Sequence, residues 1–318
     1  MFKQITFILF VLFSNILFAA APASVPLSGL QGWYGFDGNA NNAHSASFNG
    51  TVSGSILTTD RFGNANSAYQ FDGIDDYINL GTSILNGATN SSVACWIQTS
   101  GFFTGQNVWQ KRRSTNGAGL YLGIESGIMF GGLNREPNVS AIPFYTPFTT
   151  FNNTSWTHVV FNNNNGALTM YVNGVLFSQV NLPQGAIVGS MPFYIGKGFD
   201  VAPDGFGNRA FQGKIDDVGI WNRILTTQEI LSLYNAVDYK GYYTKATGSI
   251  NQLSTWGTNP DGTGAAPLSF DSSNCKYYVV NNNTTLGGSF KIGGTNNVLV
   301  FGNGSGAFNF PIALTDTI

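Results

Sequence analysis

Glutamate, histidine and cysteine are scarce in these 318 residues, and each scarcity removes a class of chemistry. The glutamates are Glu125, Glu136 and Glu229, far apart in the chain, whereas cleavage of a glycosidic bond needs two carboxylates facing that bond. The adjacent pairs Asp75-Asp76 and Asp216-Asp217 do not supply them, because neighbours along a strand point to opposite faces. His44 and His158 are the only histidines, and no Gly-x-Ser-x-Gly accompanies them, so a Ser-His-Asp nucleophile has no framework. His158, inside a strand-like run, reads as a packed or surface-facing residue. Cys95 and Cys275 have neither zinc spacing nor a disulfide pattern and read as small, partly buried hydrophobes. Charged residues make up 9% with a net charge of -2, which leaves no basic surface to neutralise phosphates and excludes nucleic acid as a partner. The glycines form no Gly-x-x-x-x-Gly-Lys phosphate loop. No catalytic residues are assigned, and the chain is read as a non-enzyme.

What is abundant points elsewhere. A hydrophobic fraction of 43% with 40 Gly suits many short strands joined by tight turns, and the length allows one large β-sandwich plus a smaller unit. Lys3, the apolar stretch Ile5 to Phe18 and the small residues Ala19-Ala20-Ala21-Pro22-Ala23 make up a secretory signal over residues 1–21, followed by a linker at 22–29. That apolar stretch is shorter than the ~20 residues of a spanning helix, and no later one qualifies, so the mature chain is expected to lack a transmembrane segment and to be secreted or at the cell surface. Asn138-Val139-Ser140 would mark a surface loop in a host that glycosylates.

The pattern is organised around Tyr69-Gln70-Phe71-Asp72-Gly73-Ile74-Asp75-Asp76-Tyr77-Ile78-Asn79-Leu80. Tyr69 and Phe71 share one face of an extended segment, as do Ile78 and Leu80, and the Asp- and Gly-rich turn between them predicts a β-hairpin. Before it come Trp33-Tyr34-Gly35-Phe36, a first strand, and the polar loop Asp37 to His44; after it comes Val93 to Gln98, apolar on both faces as in the middle of a sandwich sheet. Leu120, Leu122 and Ile124 share a strand face, while the prolines of 134–153 exclude a central strand there and leave a long aromatic-rich loop. Asn173-Gly174 is the preferred type I′ turn and sets Val172 opposite Val175 and Met170 opposite Phe177. Past Trp221 the period turns helical, with Thr226 and Glu229 as a capping box and Leu225 and Ile230 as a hydrophobic staple.

Taken in order, these motifs over residues 30–236 resemble the laminin-G-like, concanavalin A-like lectin/glucanase jelly rolls. The resemblance implies an all-β fold, a two-sheet antiparallel jelly-roll sandwich with a short C-terminal helix. Retaining glycoside hydrolases of the family-16 type within this fold carry Glu-x-Asp-x-Glu or its bulged form, which is absent here. It also implies a structural calcium ion held by Asp37, Asn39, Asn42 and Asp216, with Asn42 standing where relatives commonly have Asp; the same residues could instead cap turns without metal. Residues 240–318 bear short apolar runs between Gly- and Asn-rich turns, which suggests solenoid-like stacked rungs and the beginning of a longer protein, or else a small β-domain. The expected function is non-catalytic binding of a glycan or an extracellular protein in adhesion or polymer binding. The alternatives are a targeting module for an enzyme domain outside this chain, or a structural spacer.

Overall fold

A computed structural model of the chain describes residues 21–100, 105–112, 119–125, 128–134, 155–181, 191–198, 209–236, 240–259, 261–272, 275–280, 284–285, 291–293 and 297–301. The signal segment up to residue 20, the aromatic loop and the Asn138 sequon therefore lie outside the described residues. The chain divides after Asn235 into two compact units.

The first unit is a sandwich of two antiparallel sheets. The larger sheet runs in the order β12 (Val175–Asn181), β11 (Ala167–Val172), β10 (Thr157–Asn164), β6 (Asn90–Thr99), β14 (Gln212–Trp221), β4 (Ala68–Asp72) and β3 (Ile56–Thr58), with β1 (Leu30–Tyr34) also paired to β14. The smaller runs β2 (Thr51–Ser53), β5 (Tyr77–Asn79), β13 (Phe193–Ile195), β7 (Gln106–Arg112), β8 (Gly119–Glu125) and β9 (Ile128–Asn134). Between them lies the main core, where Trp109 meets Phe193 in a stack at 5.7 Å and Phe161 edge-on at 5.6 Å. The larger sheet is buried on its other face too. Trp33, Ala94, Val160 and Trp221 pack there with Leu225, Ile230 and Leu233 of the helix α1 (Thr227–Tyr234) and its lead-in. This double burial is why β6 and β10 read as nearly continuous apolar runs.

Helix α1 begins with the reciprocal Thr226–Glu229 capping box, and Glu229 also takes the Arg223 guanidinium at 2.6 and 2.9 Å, which holds its carboxyl down at about 2. The lead-in is tied to the sheet by buried polar bonds: Leu225 N donates to Ser92 Oγ at 2.9 Å and Asn162 Nδ2 to Leu225 O at 3.0 Å.

Two expectations need correction. The stretch 69–80 is not a hairpin. β4 pairs with β14 and β3, whereas β5 pairs with β2 and β13, so the turn between them crosses from one sheet to the other. Alternation and turn residues are the same for a hairpin and a sheet-crossing corner; only the partners differ. The turn chemistry itself is as expected: Gly73 has φ +82°, Asp72 Oδ1 accepts from Ile74 N and Asp76 Oδ2 from Asp72 N, both at 2.8 Å. In the Asn173-Gly174 hairpin Val172 does face Val175, but a bulge leaves Phe177 unpaired and sets Met170 opposite Ser178. Phe177 and Val180 still pack against the core, which the extra residue permits.

The corner leans on Gly54, at φ +78°, where a Cβ would stand 1.9 Å from Asp76 Oδ1. Asp76 is buried and holds the turn. Gly54→Ala is therefore expected to destabilise the sandwich by about 1–3 kcal/mol, read as a lower urea midpoint; an unchanged midpoint would mean the corner yields freely.

In the second unit β15 (Lys240–Thr244), β18 (Cys275–Val279) and β20 (Val298–Phe301) pair in parallel, with β17 (Trp256–Gly257) antiparallel at the edge of β15; β16 (Gly248–Ser249) and β19 (Thr284–Thr285) form a second parallel pair. In-register pairing stacks like on like: Tyr242 on Tyr277 at 5.5 Å and Tyr243 on Tyr278 at 4.7 Å. Tyr242, Trp256, Tyr277 and Val279 are buried in a core of this unit's own, which also holds Cys275 as a free thiol.

Candidate functional site

Two places in the sandwich gather polar chemistry, and the first is the junction of the opening loop with β14. After β1 the chain turns through Phe36 at φ +54° into an exposed loop bearing Asp37 and Asn39. Asn39 Oδ1 accepts from Asn41 N at 2.8 Å and so shapes the loop itself. Asn42 is fully buried: its Oδ1 accepts from Trp33 N and His44 N, both at 3.0 Å, and its Nδ2 donates to Gln31 O at 3.0 Å and Ser47 O at 2.8 Å. Both lone pairs of the carbonyl are used, so Asn42 is a strut between loop and strand rather than an ion ligand.

Asp216 is placed differently again. β14 bulges between Asp216 and Gly219, with Asp217 at φ +47°, and this turns both carboxylates toward Arg61. Arg61 Nη1 lies 3.1 Å from Asp216 Oδ2 and 2.5 Å from Asp217 Oδ2, while Asp216 Oδ1 accepts from Asp217 N at 2.7 Å. The guanidinium sits over Phe62 at 4.2 Å and over Trp96 at 4.6 Å from the ring centroids. Asp60 holds this loop in shape, its Oδ1 accepting from Phe62 N and Asn64 N at 2.8 Å each. Burial and the charge of Asp217 hold the Asp216 carboxyl well above the usual carboxylate range despite Arg61. Asp37, Asn39, Asn42 and Asp216 therefore do not fit as a set round one ion: Asn42 has no free lone pair and Asp216 is committed to a guanidinium. The structure instead brings Asp37 beside Asp217, both carboxylates reaching the bare side of Gly35.

Beyond Arg61, Trp96, His158 and Tyr234 form a cluster of three rings, with His158 5.1 Å from Trp96 and 6.0 Å from Tyr234, and Trp96 stacked on Tyr234 at 5.8 Å. Burial, aided by the positive charge of Arg61, pushes the His158 imidazole down to about 3.

The second place is the outer face of the smaller sheet. Ile78, Phe193 and Ile195 point into the core, so Tyr77, Asn79 and Tyr194 point out. The register then draws one row across five strands: Thr51, Asn79, Tyr194, Gln110 and Tyr121. Tyr77 meets Tyr194 edge-on at 5.5 Å, both half-buried, and Lys197 Nζ stands 4.3 Å over the Tyr77 ring. Gln110 and, two pairs further along past a bulge, Asn107 are buried, yet Gln110 Oε1 and both side-chain atoms of Asn107 have no hydrogen-bond partner among the described residues. A buried amide without a partner carries a desolvation cost of about 1–3 kcal/mol, a condition these atoms share with Ser91 Oγ, Trp109 Nε1 and His158 Nδ1 elsewhere in the sandwich. At the β5 end the row runs into an open cavity of about 260 Å³ lined by Asn49, Thr51, Asn79, Thr82 and Ser83 among others. Glu125 is the only carboxylate on the strands of this sheet, and it faces Arg209 at 3.9 Å.

None of these outer-face residues stands out in the sequence, because assigning them needs the cross-strand register. The usable signal was local: a Tyr between Phe193 and Ile195, and another before Ile78, alternate out of phase with the core.

A family model for the concanavalin A-like lectin/glucanase superfamily matches residues 72–231. No curated protein matches the sequence. Among solved structures the chain is similar to domain 4 of a GH43 extracellular arabinanase from Geobacillus stearothermophilus in complex with arabinotriose, with a TM-score of 0.50 and 19% identity over 65% of this chain and 98% of that one. It is also similar to the binding domain of Paraclostridial mosquitocidal protein 1, with a TM-score of 0.52 and 12% identity over 68% of this chain and 55% of that one. A third likeness is to Trypanosoma rangeli sialidase, with a TM-score of 0.50 and 16% identity over 69% of this chain but 36% of the enzyme. The chain thus spans about half of the mosquitocidal binding domain and about a third of the sialidase. At these identities the likeness is one of fold. Among the described residues no helix is long and apolar enough to cross a membrane.

Proposed function

The chain belongs to the concanavalin A-like lectin/glucanase superfamily, and from that premise we propose that it is an exported, non-catalytic module that binds carbohydrate across the outer face of its smaller sheet. One observation carries this reading: the half-buried Tyr77 and Tyr194 rings stand beside the partly exposed Asn79 and an open polar cavity on one face. Sugars offer an apolar ring face and a rim of hydroxyls. The first suits the edge-on Tyr77–Tyr194 pair, and the second suits the exposed or partly exposed polar groups of Asn49, Thr51 and Asn79 beside it. The cavity beside Asn79 gives room for a further sugar unit in the same row. On the strands of this sheet Glu125 is the only carboxylate, so those strands supply no hydrolytic pair. The arabinotriose bound to the arabinanase domain supports carbohydrate as the ligand class, and the Lys3-to-Ala23 signal pattern supports export.

Screening the whole chain on an oligosaccharide array, followed by titration calorimetry of any hit, tests the proposal. Tyr194→Ala is expected to weaken binding at least about tenfold, roughly 1.4 kcal/mol, with little change in melting temperature. Leu176→Ala, an exposed position on β12 in the other sheet, is expected to leave affinity unchanged. An oligosaccharide bound equally well by Tyr194→Ala and Tyr77→Ala variants would move the site off this face.

A further inference from the structure

We propose that the Arg61 guanidinium is the resident cation at the junction of the opening loop and β14, and that this junction is consequently closed without a divalent metal ion. Three independent features converge on this. Of the carboxylates gathered at the junction, Asp216 and Asp217 are the two that meet Arg61, one of its nitrogens reaching an oxygen of each, at 3.1 and 2.5 Å. The guanidinium is enclosed: its side chain is 8% exposed, flanked by the rings of Phe62 and Trp96, and the turn that delivers it is locked by three hydrogen bonds to Asp60. Last, three of the oxygens expected in an ion's shell already accept hydrogen bonds from the backbone. Asn42 Oδ1 accepts two backbone N–H groups, Asn39 Oδ1 accepts one, and Asp216 Oδ1 takes the N–H of its neighbour.

A calcium ion takes six to eight oxygens and would have to displace a buried, stacked guanidinium to reach Asp216. Arginine suits the place better than lysine would, because its planar fork can meet carboxylates along its edge while its face lies on rings. This junction is distinct from the tyrosine-bearing face of the smaller sheet, and it does not rest on the carbohydrate reading.

The test is thermal unfolding of the whole chain in millimolar calcium and in chelator. A site filled at 100 times its dissociation constant would raise the melting temperature of a domain this size by roughly 5–10 °C. The expected result is coincident melting curves. A calcium-dependent rise that disappears in Asp216→Asn, or in Asp37→Asn on the exposed loop if the first variant folds poorly, overturns the proposal. A rise that survives both and disappears in Asp75→Asn places the ion on the exposed 72–76 turn and leaves Arg61 as the cation of the junction.

Discussion

Replacing Arg61 with methionine is expected to lower the stability of the sandwich by about 3–5 kcal/mol, because it removes one side of a buried ion cluster and leaves Asp216 and Asp217 facing each other without a counter-charge. Methionine keeps much of the length and can still lie on Phe62 and Trp96, so the loss is mainly electrostatic. Urea unfolding followed by tryptophan fluorescence reports it, since five of the six tryptophans precede residue 236. The deficit should narrow in mild acid, where Asp216, already held above the usual range, takes up a proton and loses its need for a partner. A midpoint within experimental error of the parent would show that water serves these carboxylates as well as Arg61 does.

A second large effect is expected from acid through His158. Its imidazole is neutral in the folded chain down to about pH 3 but takes a proton near pH 6.5 once unfolded. The unfolded state therefore binds more protons throughout that window, and stability must fall as the pH is lowered from 6.5 toward 3. The slope from this one group approaches about 1.4 kcal/mol per pH unit. Burial among the Trp96 and Tyr234 rings strips water from the imidazole, and the charge of Arg61 repels a second cation. Asp216 acts in the opposite sense, since its raised value favours the folded state as pH falls, so the whole-protein curve mixes the two. Comparing the parent with His158→Phe separates them. The variant should unfold at a lower pH than the parent, and parallel pH profiles for the two proteins would assign the acid sensitivity elsewhere.

Much of the architecture was legible from local chemistry. Asn173-Gly174 turned a hairpin because both positions adopt positive φ, and Thr226 with Glu229 started a helix because each side chain satisfies a backbone donor of the other. The alternations at 69–71 and 78–80 did mark core faces. What alternation could not carry was partnership: a strand facing the core looks the same in either layer of a sandwich, so the corner at 72–76 read as a hairpin. The junction was missed for a related reason. Arg61 and Asp216 are 155 residues apart in the chain, and nothing in a single sequence reveals which carboxylate a lone arginine will meet. Asn42 was read as an oxygen donor from its residue type, but its use is settled by the backbone groups that surround it. The tyrosine-bearing face needed three separate strand pairings before its residues could be set side by side.

The strand order of the larger sheet has a consequence for how the domain comes into being. β14, the last strand of the sandwich, lies between β6 and β4 and pairs with β1, so Leu30 sits opposite Trp221. The middle of that sheet stays open until nearly the whole domain has left the ribosome, and the pairings that close it span most of the sequence. Such high contact order places folding on the millisecond-to-second scale and exposes the apolar edges of β6 and β4 while synthesis continues. Chains ending before Gln212 should accordingly be insoluble rather than merely less stable.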